Sequence, residues 1–441
     1  MDTLLLSRIQ FAFTIGFHYI FPPLTIGLAW FIFGIICRYK ATGSELHREM
    51  ARFWVRILAA TFAVGAATGI AMEFQIGTNW ADYSRFVGDI FGAPLAIEAV
   101  VAFFLESTFL AILVFAWDRV SIRAIWFAAL MVALGSTLSA FWILVANSWQ
   151  QTPAGFEIID GRARLTDFTA AVFNASTWPR FLHTTCAAFA TAAFFVMGLN
   201  SAYLLRNKHI EFARKSLNAA VIAGFIFSIG QLATRHTSGF QVAATQPAKL
   251  AAMEGLYETT RGAPMVVVGI PRPGSDETIS WLKIPKLLSF LSFGDFNAEV
   301  KGLNDFPKRD HPPVLVTFVT FRTMVASGLA MIGLTALGLL LLWRKTLHTQ
   351  KLFLRVAVLA VPLPFVANEL GWVTAEMGRQ PWVVYNVMRT SNAVSTSVPA
   401  SYVLTSGILF VMIYSLLFAA WVGVLRRIYL KGPSESLEVT Q

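Results

Sequence analysis

Residues 93–117 read APLAIEAVVAFFLESTFLAILVFAW, an apolar run interrupted by only two carboxylates, Glu98 and Glu106. An α-helix needs about 20 apolar residues to cross the hydrocarbon core of a bilayer, and this run is long enough. A charge at bilayer depth costs roughly 2.5–3.5 kcal/mol on insertion scales, so an ionisable residue held there normally has a task. His18, His183 and Glu376 share the same setting, inside or at the lip of other apolar runs. Two histidines and three glutamates of this kind in one chain suggest metal ligands and proton carriers.

Eight further runs flank this one, at 11–37, 54–77, 124–147, 181–205, 217–235, 314–343, 352–375 and 402–427. The chain is 56% hydrophobic and 14% charged, whereas a soluble domain is nearer 25% charged. The expected fold is therefore an all-α integral membrane protein with nine transmembrane helices. Basic clusters follow every odd run: Arg38 to Arg52, Arg119 and Arg123, Arg206 to Lys215, Arg344 to Lys351, and Arg426 to Lys431. The positive-inside rule then puts the N-terminus outside (periplasmic) and the C-terminus in the cytoplasm. The net charge of +10 reads as this topology signal, and no nucleic-acid partner is expected. Arg8 precedes a long apolar run with no small-residue cleavage site before Cys37, which reads as a retained span and not a signal peptide.

The chain divides into helices one to six (1–235), a long outer connection (236–313), and helices seven to nine with a short cytoplasmic tail (314–441). That connection far exceeds an ordinary loop, so a functional role is expected of it. Its Pro271-Arg272-Pro273-Gly274 stretch predicts a turn, and Lys301 to Asp310 a solvated segment. With this topology His18, Glu98, His183, Met324 and Glu376 all gather in the outer half. Only His18 and His183 of the seven histidines fall inside runs; His47, His209, His236, His311 and His348 fall in loops or at ends. A heme–copper core needs about six intramembrane histidines, and a two-heme bis-His cytochrome b four. The cysteines Cys37 and Cys186 form no heme-attachment or zinc pair.

Each candidate has a bland reading beside the chemical one. An intramembrane histidine is often a packed core residue, and Met324 alone reads as core. Arg322, two residues earlier, needs an anion, such as a heme propionate. Glu376 and Arg379 can form a helix-end ion pair. Glu98 and Glu106 lie eight residues apart, about 12 Å along a regular helix and roughly 80° apart in azimuth, which suits rungs of a proton wire or inter-helix hydrogen bonds.

Motifs along nearly the whole chain resemble subunit I of the cytochrome bd-type quinol oxidases. They are Leu6-Ser7-Arg8-Ile9-Gln10-Phe11 before His18, Gly92-Ala93-Pro94-Leu95-Ala96-Ile97-Glu98, and Phe103-Phe104-Leu105-Glu106-Ser107-Thr108. Trp142 to Asn147, His183, Gln246 to Gly255, Phe321-Arg322-Thr323-Met324 and Gly378-Arg379-Gln380-Pro381-Trp382 follow in order. The resemblance implies that His183 and Met324 ligate a low-spin heme b. It gives His18 and Glu376 to two high-spin hemes, a heme b and either heme d or a third heme b, leaving open which ligand serves which. It places Arg8, Arg322 and Trp382 around the cofactors, and Arg379 in the catalytic machinery. Glu98 would lie beside the oxygen-reducing heme, with Glu106 on the proton route to it. Lys249 and Glu254 would bind quinol and accept its protons; read without the resemblance, they form an i,i+5 charge pair on a solvated helix. The connection lacks the insert of the longer-loop branch, which implies the short quinol-loop form that includes cyanide-insensitive oxidases.

The resemblance further implies an electrogenic quinol:oxygen oxidoreductase of aerobic electron transport in the bacterial inner membrane. It would oxidise quinol outside and reduce O2 to water with cytoplasmic protons, without pumping. Expected partners are subunit II, a small single-helix subunit and the lipid bilayer. Two competing readings are a proton-coupled transporter, which usually shows the internal repeats missing here, and a non-catalytic heme-binding anchor, which needs neither His18 nor Glu376.

Overall fold

The computed structural model describes residues 2–433, apart from the side chains of residues 235–237. Among the described residues nine helical units are long and apolar enough to cross a membrane. They are span one (Thr3–Thr42), two (Glu45–Asn79), three (Ala81–Phe115), four (Ile122–Gln151), five (Thr177–Leu205), six (Ile210–Thr245), seven (Val314–Trp343), eight (Lys351–Met377) and nine (Ala400–Lys431). Each matches one run in the sequence, and most extend further. Polar residues can continue a helix beyond the hydrocarbon core, where an apolar window stops.

Three differences from the sequence reading bear on function. The sixth helix continues to Thr245, so the long connection begins at Gln246 and not at 236. His236 therefore lies on the helix rather than in a loop, its side chain being outside the described residues. Span one is two helices, Thr3–Tyr19 and Phe21–Thr42, joined at Ile20 where Pro22 and Pro23 open the second. His18 thus sits in the last turn of the first helix, near the middle of the unit rather than near its end. Span three carries a wide π turn over Glu98–Phe103 between two α-helical stretches. The tail beyond 433 lies outside the described residues.

Span five is the axis of the bundle, with 78% of its most apolar window buried against 11% for span nine. It packs on spans one, four, six and eight. Its Ala188 and Ala192 are small enough for span one to approach closely at Gly27. A Cβ added at Gly27 would lie 2.5 Å from both the Ala188 carbonyl oxygen and the Ala192 Cβ. Small residues at a crossing are how membrane helices gain contact when lipid offers no hydrophobic drive.

The connections after the even spans carry all the β-structure. They hold the hairpin Phe156–Ile159 with Arg162–Leu165, the hairpin Met265–Pro271 with Thr278–Ile284, and the short pair Trp382–Val384 with Met388–Arg389. Gly274, at φ +78°, lies in the turn of the second hairpin, as its Pro-Gly sequence predicts. A second apolar core of Trp80, Tyr83, Val87, Trp149, Ala171 and Val384 ties the connections after spans four and eight to the ends of spans three and four. The face bearing the long connections is therefore a built layer.

Gly27→Ala should lower the melting temperature of the detergent-solubilised protein, the overpacking costing about 1–3 kcal/mol. Gly34→Ala, whose Cβ would meet nothing within 4 Å, should leave it unchanged.

Candidate functional site

On the long-loop face, spans four, five and eight and the short helix Pro247–Glu254 converge on Glu376. One carboxylate oxygen accepts from Asn147 Nδ2 (3.1 Å) and Gln151 Nε2 (3.4 Å); the other accepts from Arg379. Asn147 and Gln151 are four residues apart on span four, so one helical face presents both amides. Gln150 accepts from Arg379 Nη1 at 3.0 Å and donates to the Tyr83 hydroxyl. Arg180 Nη2, at the start of span five, donates to Asn147 Oδ1 at 2.6 Å. Lys249 Nζ donates to Gln151 Oε1 at 2.9 Å and to the Ala375 carbonyl at 3.0 Å.

Three cationic side chains thus crowd one carboxylate. Burial holds the Lys249 amine well below the ordinary lysine range, and Arg180 and Arg379 push the same way while Glu376 opposes them. Nε of Arg180 and Nε of Arg379 are buried without hydrogen-bond partners. Guanidinium nitrogens buried in that condition fit a missing anion, since an unsatisfied buried donor is costly.

Lys249 and Glu254 do not pair with each other, and both are 5% exposed, so the solvated charge-pair reading fails. Lys249 joins the Glu376 group, whereas Glu254 accepts from Arg322 on span seven. Arg322 lies against the rings of Phe318 and Phe321, its Nε and Nη1 buried without partners. Met324 faces span eight: a Cβ at Gly371 would lie 3.0 Å from its sulfur. One short helix therefore links the Glu376 group to the neighbourhood of Met324.

His18 contacts span two, where its Nδ1 lies 2.9 Å from Thr68 Oγ1. It continues a polar ladder in which Asn79 Nδ2 donates to Gln10 Oε1 (2.7 Å) and Thr14 Oγ1 donates to Gln75 Oε1 (2.5 Å). His183 Nδ1 lies 3.1 Å from Thr234 Oγ1 on span six. Trp382 stacks under the Arg389 guanidinium, 4.5 Å from its centroid. Arg8 is half-buried and makes no ion pair among the described residues.

Glu98 and Glu106 meet the same wall. Ser139 donates to Glu98 Oε1 at 2.7 Å. A Cβ at Gly135 would lie 3.2 Å from the Glu106 Cβ. Gly135 and Ser139 are one turn apart on span four, so both glutamates face one side of it. The expected 80° offset is corrected by the π turn between them, which absorbs about one residue. It cuts the rotation from about 800° to about 700°, roughly 20° from alignment.

Two further membrane carboxylates and one arginine carried the same signal and were passed over. Glu73 of span two lies within electrostatic reach of Glu98. Glu369 of span eight comes within 3.4 Å of where a Gly16 Cβ would stand. Glu73 and Glu369 interrupt apolar runs just as Glu98 does, and Arg180 stands at the lip of span five.

Residues 6–433 match the family described as cytochrome bd terminal oxidase subunit I. The chain belongs to that family. It is 40% identical to the cytochrome bd ubiquinol oxidase subunit 1 of Bacillus subtilis, over 98% of this chain and 94% of that protein. Identity to the cytochrome bd-II ubiquinol oxidase subunit 1 of Escherichia coli is 34%, over 98% and 97%. That alignment runs over 501 positions, against 443 with the B. subtilis protein, so the E. coli relative carries residues absent here. The solved bd oxidase of Geobacillus thermodenitrificans superposes with a TM-score of 0.92 at 31% identity, covering 98% of this chain and 99% of that one.

Membership makes this a heme-bearing, membrane-embedded oxidoreductase subunit of electron transport. The side chains fit such cofactors: histidine, methionine and carboxylate donors lie on the bundle side of their spans. Nearby, buried arginines hold unsatisfied donors of the kind propionates accept.

Lys249 should leave a mark on the pH dependence of stability. A lysine depressed in the folded state binds its proton more readily when unfolded, so stability rises with pH until the ordinary lysine value is reached. Thermal melting of Lys249→Met should show this rise reduced, by at most about 1.4 kcal/mol per pH unit.

Proposed function

We propose that this chain is the catalytic subunit of a terminal quinol oxidase that takes electrons from quinol on the long-loop face and reduces O2 to water. The observation that carries the reading is the paired arrangement at that face. Lys249 and Glu254, on one short helix, each reach a buried arginine-containing group beside a candidate iron ligand.

In this reading the bound hemes would supply one-electron transfer and oxygen binding. His183 and Met324 would hold a low-spin heme b. His18 and Glu376 each serve one of two high-spin hemes, a heme b and a heme d or third heme b. Arg322, Arg180 and Arg379 neutralise propionates, while Arg8 and Trp382 pack near the cofactors. Glu254 and Lys249 bind the quinol hydroxyls and take their protons, which leave to the outside. Burial makes the Lys249 amine readier than an ordinary lysine to give up and retake a proton.

Glu106 and Glu98 carry protons inward from the cytoplasmic side, and their alignment on one wall of span four shortens each transfer. Protons released outside and consumed from within make turnover electrogenic without a pump. The chain's length, nearer the B. subtilis relative, supports the short quinol-loop form. The working enzyme includes subunit II, and a small single-helix subunit in some assemblies, in the bacterial inner membrane.

The purified complex should give a reduced-minus-oxidised heme spectrum, part of which shifts on adding carbon monoxide. A preparation without heme bands would sink the oxidase reading; a low-spin signal with no carbon monoxide response would leave a heme-binding anchor. His183→Ala should lose the low-spin band and quinol oxidation together. Glu106→Gln should keep every heme band while oxygen consumption falls by about 10²-fold or more.

A further inference from the structure

His18 and His183 sit on different spans, yet each meets the next span in the chain in the same way. On span two, Thr68 Oγ1 lies 2.9 Å from the Val64 carbonyl oxygen and 3.0 Å from that of Gly65. On span six, Thr234 Oγ1 lies 2.9 Å from the Gly230 carbonyl oxygen and 3.1 Å from that of Gln231. Each hydroxyl also stands within hydrogen-bond distance of an imidazole Nδ1.

A threonine hydroxyl has one hydrogen and two lone pairs. A carbonyl oxygen cannot donate, so an oxygen–oxygen approach of 2.9 Å is favourable only with the hydroxyl hydrogen between the two atoms. The hydroxyl is thereby committed as a donor to its own helix, and what it offers the ring is a lone pair. The ring nitrogen facing it must then carry a proton. Were the hydroxyl turned towards Nδ1, the two oxygens would confront each other unbridged and the carbonyl would lose a partner. At His18 the ring is also fixed laterally, since a Cβ at Gly69 would lie 3.2 Å from Cε1.

We infer that Thr68 and Thr234 are positioning residues that hold His18 and His183 as their Nδ1–H tautomers, making Nε2 the atom each ring presents to a heme iron. This rests on the heme-ligand reading of the two histidines. A hydrogen bond from Nδ1–H to an oxygen acceptor orients a ligating imidazole and raises its basicity. The same device on two spans gives both irons a donor whose strength is set by a neighbouring helix. Any shift of span two against span one, or of span six against span five, alters that strength.

The test uses the assembled complex. Thr68→Val is isosteric but removes the acceptor. Its high-spin heme should remain bound, with the iron–histidine stretching band moved to lower frequency. Heme transfer to an excess of apo-globin should be about 10- to 100-fold faster. Thr234→Val should retain the low-spin band with a raised midpoint potential, because a less basic imidazole stabilises the ferric state less. Thr68→Ser and Thr234→Ser, which keep the hydroxyl, should restore both readouts. Valine variants with unchanged stretching band, potential and heme retention would overturn the inference. If a valine variant does not assemble, the alanine and serine variants at that position carry the same comparison. Failure of the underlying reading is separate: His18→Ala and His183→Ala proteins retaining their full heme content would remove the ligands themselves.

Discussion

A charged group inside a bundle of apolar helices cannot turn to water, so it must find its partner on another helix. That requirement organises this protein. Glu254 is held by Arg322 of span seven, Lys249 by Gln151 of span four and the Ala375 carbonyl of span eight, and Glu376 by Asn147, Gln151 and Arg379. Apart from Glu376 with Arg379, three residues on, each link joins segments far apart in sequence. The long connection after span six is therefore bolted to the bundle through Pro247–Glu254, and the ends of spans four, five, seven and eight are fixed against one another. The arrangement has more positive than negative charge, with guanidinium nitrogens lacking partners. Bound anionic groups would complete it electrostatically.

Span four is the wall shared by the two groups of ionisable residues. Its Gly135 and Ser139 face the glutamates of span three, and its Asn147, Gln150 and Gln151 hold the Glu376 group. From 135 to 151 is about 24 Å of helix, most of the thickness of a hydrocarbon core. One rigid element thus spaces Glu98 and Glu106 from the cationic group around Glu376. Little in span four is charged: its contribution is amides, a hydroxyl and the absence of a side chain at Gly135.

The nine spans were legible because an apolar run of membrane length is a one-dimensional signal. Span seven, bounded by Pro313 and Arg344, was legible to the residue. Where helices outlast their apolar stretch, as span six does up to Thr245, hydropathy says nothing. Candidate ligands were found by the same energetic oddity, a polar residue in an apolar run, and the same rule applied more evenly would have found Glu73 and Glu369. The partners of Lys249 and Glu254 were not legible, because five residues on a helix look like a local pair until other spans compete for them. The π turn was hidden too. Glu98–Phe103 reads EAVVAF, with no glycine or proline to mark a break, and its wide turn packs against span four.

That turn separates two quantities a regular helix keeps locked together, distance along the axis and direction around it. Glu98 and Glu106 stand two turns apart yet look the same way because the chain carries one residue more than an α-helix would need. The surplus makes residues 98–103 the place in span three where winding, and not composition, sets the direction of a carboxylate. Loss of a single residue there would let the helix close to its ordinary pitch with Glu98 and Glu106 seven residues apart and still on one side. Closing the turn with all its residues kept would instead swing the half bearing Glu98 about 100° away from Ser139. A change of winding that leaves the composition untouched would uncouple the two carboxylates.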